Sequence, residues 1–452
     1  MKSVLINPPP MQVAERHDAP DHPHCGLGYI ASYLLSRGED TEIIDSKLER
    51  LGLQQTLDKL LSMKPDIVGI TAMTHDILSA AKLAQLIKNE KPDLAVVIGG
   101  VHATALPKDT LESFQSFDIL VYGEGEHAFY ELVKQLESKK PISEIQGIAY
   151  REEDKIVVTS RRPWIDDLDS LPIPAWQLFP KTEKYHIVTA RGCPFSCIFC
   201  MSPYGRKIRV RSPENVIAEM NDVVRKYHPR IYKFDDESFA FDKARAHRIL
   251  DLVIENKLDG IKKIASMRAD YVDLELLVHM KKAGFEVVDF GFETGSPEIM
   301  KIIKKGITLD QARNAVSLCR KAGIKVGGNF IIGHPHETSK TIRETIKFAV
   351  ELNPDIVAFG IMVPYPGTEV AEIAKRGEGG YKVISSNWAD YNKQLGNALE
   401  LNEIGRKQLE AYQLKAYVSI YLLNLRFMDF AGFCWENRKA ASAFARHFFS
   451  RR

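Results

Sequence analysis

The chain has 452 residues, room for two or three domains. Its composition, 45% hydrophobic and 27% charged with a net charge of +2, is that of an ordinary globular protein and gives no reason to expect a nucleic-acid partner. Six cysteines in so long a chain do not make a disulfide framework, and no apolar run reaches the ~18–20 residues of a membrane span.

The opening Met1-Lys-Ser-Val-Leu-Ile-Asn-Pro runs straight into a strand and lacks the apolar core and cleavage site of a signal peptide, so the expected location is cytoplasmic. Residues 1–135 alternate strands and helices. The strands are Val4-Leu-Ile, Thr41 to Asp45, Asp66 to Ile70, Leu94 to Ile98 and Asp118 to Tyr122, with helices from Gly26 to Arg37 and over 76–90. Near-continuous apolar strands separated by helices predict a parallel, doubly wound, Rossmann-like α/β sheet. Ligands of such sheets sit at the carboxyl ends of the strands. Those ends read Thr71-Ala-Met73-Thr74-His75, then Gly99-Gly100-Val-His102, then Gly123-Glu124. Paired glycines let a bulky ligand approach the backbone, although a Gly-Gly after a strand is more often a turn.

Residues 136–184 are expected to form a linker. It holds a hairpin about Glu152-Glu-Asp154 and an extended, proline-stiffened run from Asp166 to Ala175. Six β/α units follow over 185–390, which predicts an open, partial TIM-type barrel with its site at the strand carboxyl ends. Residues 391–452 are expected to be a helical extension, packed as a cap over the barrel mouth. The basic, aromatic end Arg446-His-Phe-Phe-Ser-Arg-Arg452 has the composition of a membrane-surface contact.

The loop after the first barrel strand is Arg191-Gly-Cys193-Pro-Phe-Ser-Cys197-Ile-Phe199-Cys200-Met201. Three thiolates spaced C-x-x-x-C-x-x-C can ligate three corners of an iron–sulfur cube and leave the fourth iron open to a ligand. A zinc knuckle or three chance cysteines is the plainer alternative. Zinc sites usually show a second Cys or His pair, however, and none stands here. Cys25, Cys319 and Cys434 are scattered.

This loop, with the aromatic Phe199 before its third cysteine, resembles the signature of the radical S-adenosylmethionine (SAM) superfamily. The resemblance implies a 4Fe-4S cluster on Cys193, Cys197 and Cys200. The open iron would chelate SAM, and an electron from the cluster would cleave SAM to methionine and a 5′-deoxyadenosyl radical. SAM contacts implied at the strand ends are Asp235, Asp236 and Glu237, then Ser266 and Arg268, then Glu293, then Asn329 and Ile332. The strand-end loops of the first domain are similar to those of cobalamin-binding domains. That likeness implies cobalamin contacts at Thr71, Met73, Thr74, His75, Gly99, Gly100, His102, Gly123 and Glu124. The usual lower-ligand motif D-x-H-x-x-G is absent. None of His17, His22 and His24 in the loop after the first strand sits in that frame; His24, His75 and His102 are candidate axial groups or neighbours of the axial group, with a surface or packing role the more common one for each.

Together the two halves resemble cobalamin-dependent (class B) radical SAM enzymes. The implied activity is methylation of an unactivated carbon: the radical abstracts a substrate hydrogen and methylcobalamin donates the methyl group. A cyclisation or other oxidation without methyl transfer is the alternative, and a non-catalytic cobalamin-binding regulator is an alternative of another class. Expected partners are an organic or peptide substrate and an electron donor such as a ferredoxin or flavodoxin.

Overall fold

The computed structural model describes residues 1–10, 20–153, 155–392 and 397–436. His17, Asp154 of the hairpin tip and the basic end Arg446–Arg452 lie outside the described residues.

The first sheet has seven strands in the order β2-β1-β3-β4-β5-β6-β7. They are β1 (Ser3–Asn7), β2 (Thr41–Asp45), β3 (Ile67–Thr71), β4 (Ala95–Gly99), β5 (Ile119–Val121), β6 (Ile148–Glu152) and β7 (Lys155–Val158). The first five are parallel and buried on both faces by helices, which explains their unbroken apolar runs. The expected hairpin forms, but it is not a free connector. β6 pairs antiparallel with β5, so the hairpin extends the first sheet and the first folded unit reaches residue 158. Tyr122 and Thr159 fix the junction, with the Tyr122 hydroxyl donating to the Thr159 carbonyl at 2.6 Å.

The truly connecting segment is then 159–183, and it lies between the two halves. The Ala175 amide donates to the Gly28 carbonyl at 3.0 Å. The Trp176 side chain, 2% exposed, donates to Glu219 of the barrel at 3.2 Å.

The second sheet has six parallel strands in the order β15-β14-β13-β12-β11-β8. These are β8 (Lys184–Ile187), β11 (Ile231–Phe234), β12 (Lys262–Met267), β13 (Phe285–Glu293), β14 (Lys325–Ile332) and β15 (Ile356–Ile361). A small ribbon of β9 (Ala190–Arg191) and β10 (Arg209–Val210) closes the cysteine loop. The sheet is an open, partial barrel wrapped by helices. One of these, Leu309–Ala322, has no counterpart in the sequence reading, although Thr308 and Gln311 form a capping box at its start.

An open barrel leaves the outer edge of β15 unpaired, a liability that must be covered. The helix Arg406–Leu423 covers it. Gln413 donates to the Phe359 carbonyl at 2.7 Å, and the Tyr417 hydroxyl accepts from the Phe359 amide at 3.0 Å. The C-terminal helices therefore pack along the barrel's side rather than over its mouth, because the unsatisfied backbone lies there. A short ribbon of β16 (Tyr381–Val383) and β17 (Leu399–Leu401) precedes them, and between its strands Trp388 sets its ring edge-on to His102 of the first domain (5.1 Å). No helix among the described residues is long and apolar enough to cross a membrane.

Candidate active site

A cavity of about 490 Å³ lies where the two halves meet. Its first wall is the carboxyl edge of the first sheet: Thr71 and Met73 after β3, Gly99 and Gly100 at β4, Gly123 and Glu124 after β5. The opposite wall comes from the barrel: His186, Arg191, Asp235 and, directly after the cysteines, Pro203 and Tyr204. The glycines shape it. Gly100 has φ +94°, and a Cβ there would stand 2.7 Å from the Thr71 hydroxyl. Gly99 differs: a Cβ on it would meet nothing nearer than the Val121 carbonyl at 3.6 Å, so a side chain here would project into the cavity without disturbing the fold. A wall stripped of side chains suits a broad ligand that presses against backbone.

His24 caps the first helix, its Nδ1 accepting from the Leu27 amide at 3.2 Å, and also lines the cavity. His102, Thr74 and His75 do not line it. His102 is buried, with its ring 3.4 Å from the Thr74 hydroxyl, and His75 sits 3.6 Å from Asp76 on the outside. A second polar group faces the cavity. His22 stacks on His186 at 3.5 Å, and His186 lies 3.4 Å from Asp235. Burial would raise the Asp235 carboxyl, but His186 and Lys233 outweigh it and hold it at about 2; burial brings His22 down to about 4.

The cysteine loop stands at the carboxyl end of the barrel strands. Cys197 is buried, Cys193 partly so and Cys200 exposed. Burial raises the Cys193 and Cys197 thiols, with Arg268 and Lys305 respectively opposing it. These cations flank the loop. Arg268 lies 3.5 Å over the Phe195 ring and is held by both oxygens of Asp270 at 3.0 Å. Lys305 pairs with Glu293 at 2.8 Å and lies 6.0 Å from the Phe199 ring. The loop backbone is fixed too, the Ile198 amide donating to the Ile303 carbonyl at 3.2 Å. Both cations are already paired with carboxylates, Arg268 with Asp270 and Lys305 with Glu293, so the loop is flanked by two ion pairs rather than by free positive charge. Among the described residues no three His, Cys, Asp or Glu side chains converge as for a single ion; a cube takes its ligands at separate corners.

Of the other residues expected near SAM, Asp236 is spent structurally. Its carboxylate accepts from the Thr189 amide (2.6 Å), the Thr189 hydroxyl (2.5 Å) and the Ala190 amide (3.0 Å), which shapes the approach to the cysteine loop. Ser266 accepts the Phe239 amide through its carbonyl, Asn329 donates to the Phe290 carbonyl at 3.3 Å, and Ile332 is fully buried. Glu237 is pushed up by burial and lies next to Gly192 of the loop. Glu124 lines the cavity but is not free to hold a ligand. Arg191 donates to it at 2.7 Å, Arg209 at 2.8 Å and the Ile165 amide at 2.7 Å, while Glu126 takes the other arm of Arg191 at 2.8 Å. All four side chains are 5% exposed or less. This two-against-two charge cluster bolts the first domain to the cysteine ribbon. The sequence signal for it was the run Arg206-Lys-Ile-Arg209-Val-Arg211 closing the loop, more basic than an exposed turn needs.

Past β14, His334 is fully buried 6.1 Å from the Phe199 ring, and neither of its ring nitrogens makes a hydrogen bond. Glu337 accepts the Gly333 and His334 amides through one oxygen (2.5 and 3.0 Å) and leaves the other unbonded. Burial raises its carboxyl from an ordinary 4.5 to about 8, against the two amides. The folded chain thus keeps a proton that the unfolded chain releases between pH 4.5 and 8, and stability falls as pH rises through that window, by at most about 1.4 kcal/mol per pH unit. Glu337→Gln is expected to flatten this dependence in denaturant melts at pH 5 to 8; an unchanged slope would show that the carboxyl is ionised throughout.

Two family models match the chain: the B12 binding domain over residues 13–133 and the Radical SAM superfamily over residues 187–349. An uncharacterized methyltransferase of Pyrococcus horikoshii is 35% identical over 434 residues, 93% of both chains. The anaerobic magnesium-protoporphyrin IX monomethyl ester cyclase of Rubrivivax gelatinosus is 30% identical over 82% of this chain and 68% of its own. In fold the chain is similar to the radical SAM methyltransferase TsrM of Kitasatospora setae, solved with cobalamin and a [4Fe-4S] cluster (TM-score 0.73, 19% identity, 92% and 91% coverage). It is also similar in fold to the cobalamin-dependent SAM radical enzyme OxsB (TM-score 0.76, 19% identity, 92% and 66% coverage). The chain belongs to the cobalamin-binding radical SAM enzymes. Its cofactors are accordingly a [4Fe-4S] cluster, SAM and cobalamin.

Proposed function

We propose that this enzyme transfers a methyl group to an unactivated carbon of an organic or peptide substrate. One observation carries the reading: a single cavity is walled on one side by Gly99, Gly100 and Gly123 and on the other by the residues that follow Cys200. A substrate there would lie between the two cofactors, as the reaction requires. When bound, the cluster and SAM supply hydrogen-atom abstraction and cobalamin supplies a transferable methyl group.

The chain's own residues have narrower tasks. Cys193, Cys197 and Cys200 hold the cluster, with the Arg268–Asp270 and Lys305–Glu293 pairs flanking it. Phe199, Glu237, Ser266, Glu293 and Asn329 border the space for SAM, while the Ile332 side chain is fully buried and does not. Asp235, kept ionised beside His186, offers a carboxylate to a cation, as SAM's ammonium would be. Thr71, Met73, Gly99, Gly100 and Gly123 face cobalamin. A ferredoxin or flavodoxin supplies the electron, and the cytoplasm is the setting that supplies both.

Anaerobically reconstituted enzyme, given cobalamin, SAM and a reductant, is expected to form S-adenosylhomocysteine and 5′-deoxyadenosine that rise together when the right substrate is added, read by mass spectrometry. 5′-Deoxyadenosine alone would favour the cyclase reading, which the Rubrivivax gelatinosus relative supports. The methyltransferase of Pyrococcus horikoshii matches more of the chain at higher identity, and methyl transfer is preferred for that reason.

Gly99→Val tests the cavity separately. The fold has room for the new Cβ, so the melting temperature should hold, while the side chain takes up ligand space and weakens cobalamin binding by about 10- to 100-fold. Full retention of cobalamin, read by its visible absorption, would place the corrin elsewhere.

A further inference from the structure

An electron carrier has to approach the cysteine loop from outside the cavity, and two basic surfaces flank that loop. The first is a groove lined by Lys301, Lys304 and Arg313, next to the Ile303 carbonyl that accepts the Ile198 amide. Its charge is largely spent. Lys304 donates to both oxygens of Glu369 at 2.8–2.9 Å, and Arg313 is shared between Asp310 and Glu351.

The second surface lies at the other end of the loop. The Gly205 carbonyl accepts the Cys193 amide at 3.1 Å, so the next residue, Arg206, stands beside the backbone of the first cysteine. Trp164 packs against this turn. Gly205 has φ +81°, and a Cβ on it would stand 2.7 Å from the Trp164 indole nitrogen. Arg161 lies 4.4 Å over the Trp164 ring. Lys207 reaches Asp166 at 2.7 Å, which ties the two stretches of chain side by side; both side chains are 69–70% exposed, so water screens the pair. Arg161 and Arg206 are exposed, and among the described residues neither is paired with a carboxylate. Three outward cations thus share one screened carboxylate, with an aromatic ring among them. None of Arg161, Trp164, Arg206 and Lys207 lines the cavity. Small ligands bind in concave pockets, whereas open surfaces of Arg and Trp recur at the centres of protein–protein contacts.

We propose that the face of Arg161, Trp164, Arg206 and Lys207 docks the acidic redox protein that reduces the cluster. The proposal rests on the reading above that a ferredoxin or flavodoxin supplies the electron, and it says where on this chain that carrier sits. The carrier is oxidised by one electron and the cluster reduced by one; no atom or proton is transferred.

The test uses the reconstituted full chain with an acidic bacterial flavodoxin as the probe. Calorimetry gives its Kd in the oxidised form, and stopped-flow absorption gives the rate at which its reduced form bleaches the cluster. The double variant Arg161→Glu with Arg206→Glu is expected to weaken binding and slow reduction by about tenfold or more each. Binding to the parent protein should weaken in high salt. Reduction by the methyl viologen radical, a small cation that needs no docking face, should be unchanged in the variant, as should the melting temperature. Arg230→Glu with Lys262→Glu makes the same change of charge at the amino ends of β11 and β12 and should bind flavodoxin as the parent does. Unchanged binding by the first variant, or an equal loss in both, would overturn the docking face and leave the carrier reading standing. Slower reduction by methyl viologen in the first variant would show damage to the cysteine loop and would equally overturn it. A parent protein that methyl viologen reduces but neither flavodoxin nor an acidic ferredoxin does would overturn the carrier reading, and the proposal with it.

Discussion

Glu124→Ala is expected to destabilise the protein by about 3–5 kcal/mol, the cost of leaving a buried charge without its partner. Two guanidiniums, Arg191 and Arg209, converge on this carboxylate at 2.7–2.9 Å with almost no access to water. Glu126 balances only one of them. Glu124→Gln keeps the shape and part of the hydrogen bonding but not the charge, and should fall between the two. Urea unfolding followed by circular dichroism measures this. A loss under about 1 kcal/mol would mean that water reaches the seam and screens the cluster as it does a surface pair.

Cys197→Ala is expected to abolish 5′-deoxyadenosine formation altogether and to remove the cluster's absorption from the reconstituted protein. The other cysteines supply the control. Cys25→Ala and Cys434→Ala should leave iron content unchanged. Cys319 is fully buried in the core with its thiol pushed up to about 12 by burial, so its replacement should affect stability only. Retention of the product in the Cys197→Ala protein would reject the cluster assignment, and no property of the cobalamin half could then rescue a radical mechanism.

Much of the architecture could be read from the chain because it follows from local patterns. The strands β1 to β5 and the helices Cys25–Ser36 and Ile77–Glu90 stand within a residue or two of where their apolar periodicity places them. The cysteine loop was legible because three thiols at fixed spacing have few uses. Contacts between distant segments were not legible. Glu124 follows a glycine at a strand end, which made it look like a ligand contact, but its partners lie about 65 to 85 residues away on the cysteine ribbon. Asp236 sits in an acidic triplet that resembled a SAM site, yet three groups from Thr189 and Ala190 occupy its carboxylate. His186 and His22 come together only because β8 is the barrel's edge strand beside the first domain. The helix Leu309–Ala322 shows a different failure, since its mean apolarity is too low to stand out even though its cap and its buried Ala312, Ala315, Val316 and Cys319 are in register.

The segment between the sheets has a consequence for how such enzymes can diversify. Ala175 bonds to Gly28 in one half and Trp176 to Glu219 in the other, so the strap is shared masonry rather than a tether. A chimera that swapped one half for that of a cousin would strand Trp176 against a foreign Glu219 position and Arg191 against a foreign carboxylate. A change of substrate that keeps both halves together would therefore fall on the side chains that line the cavity.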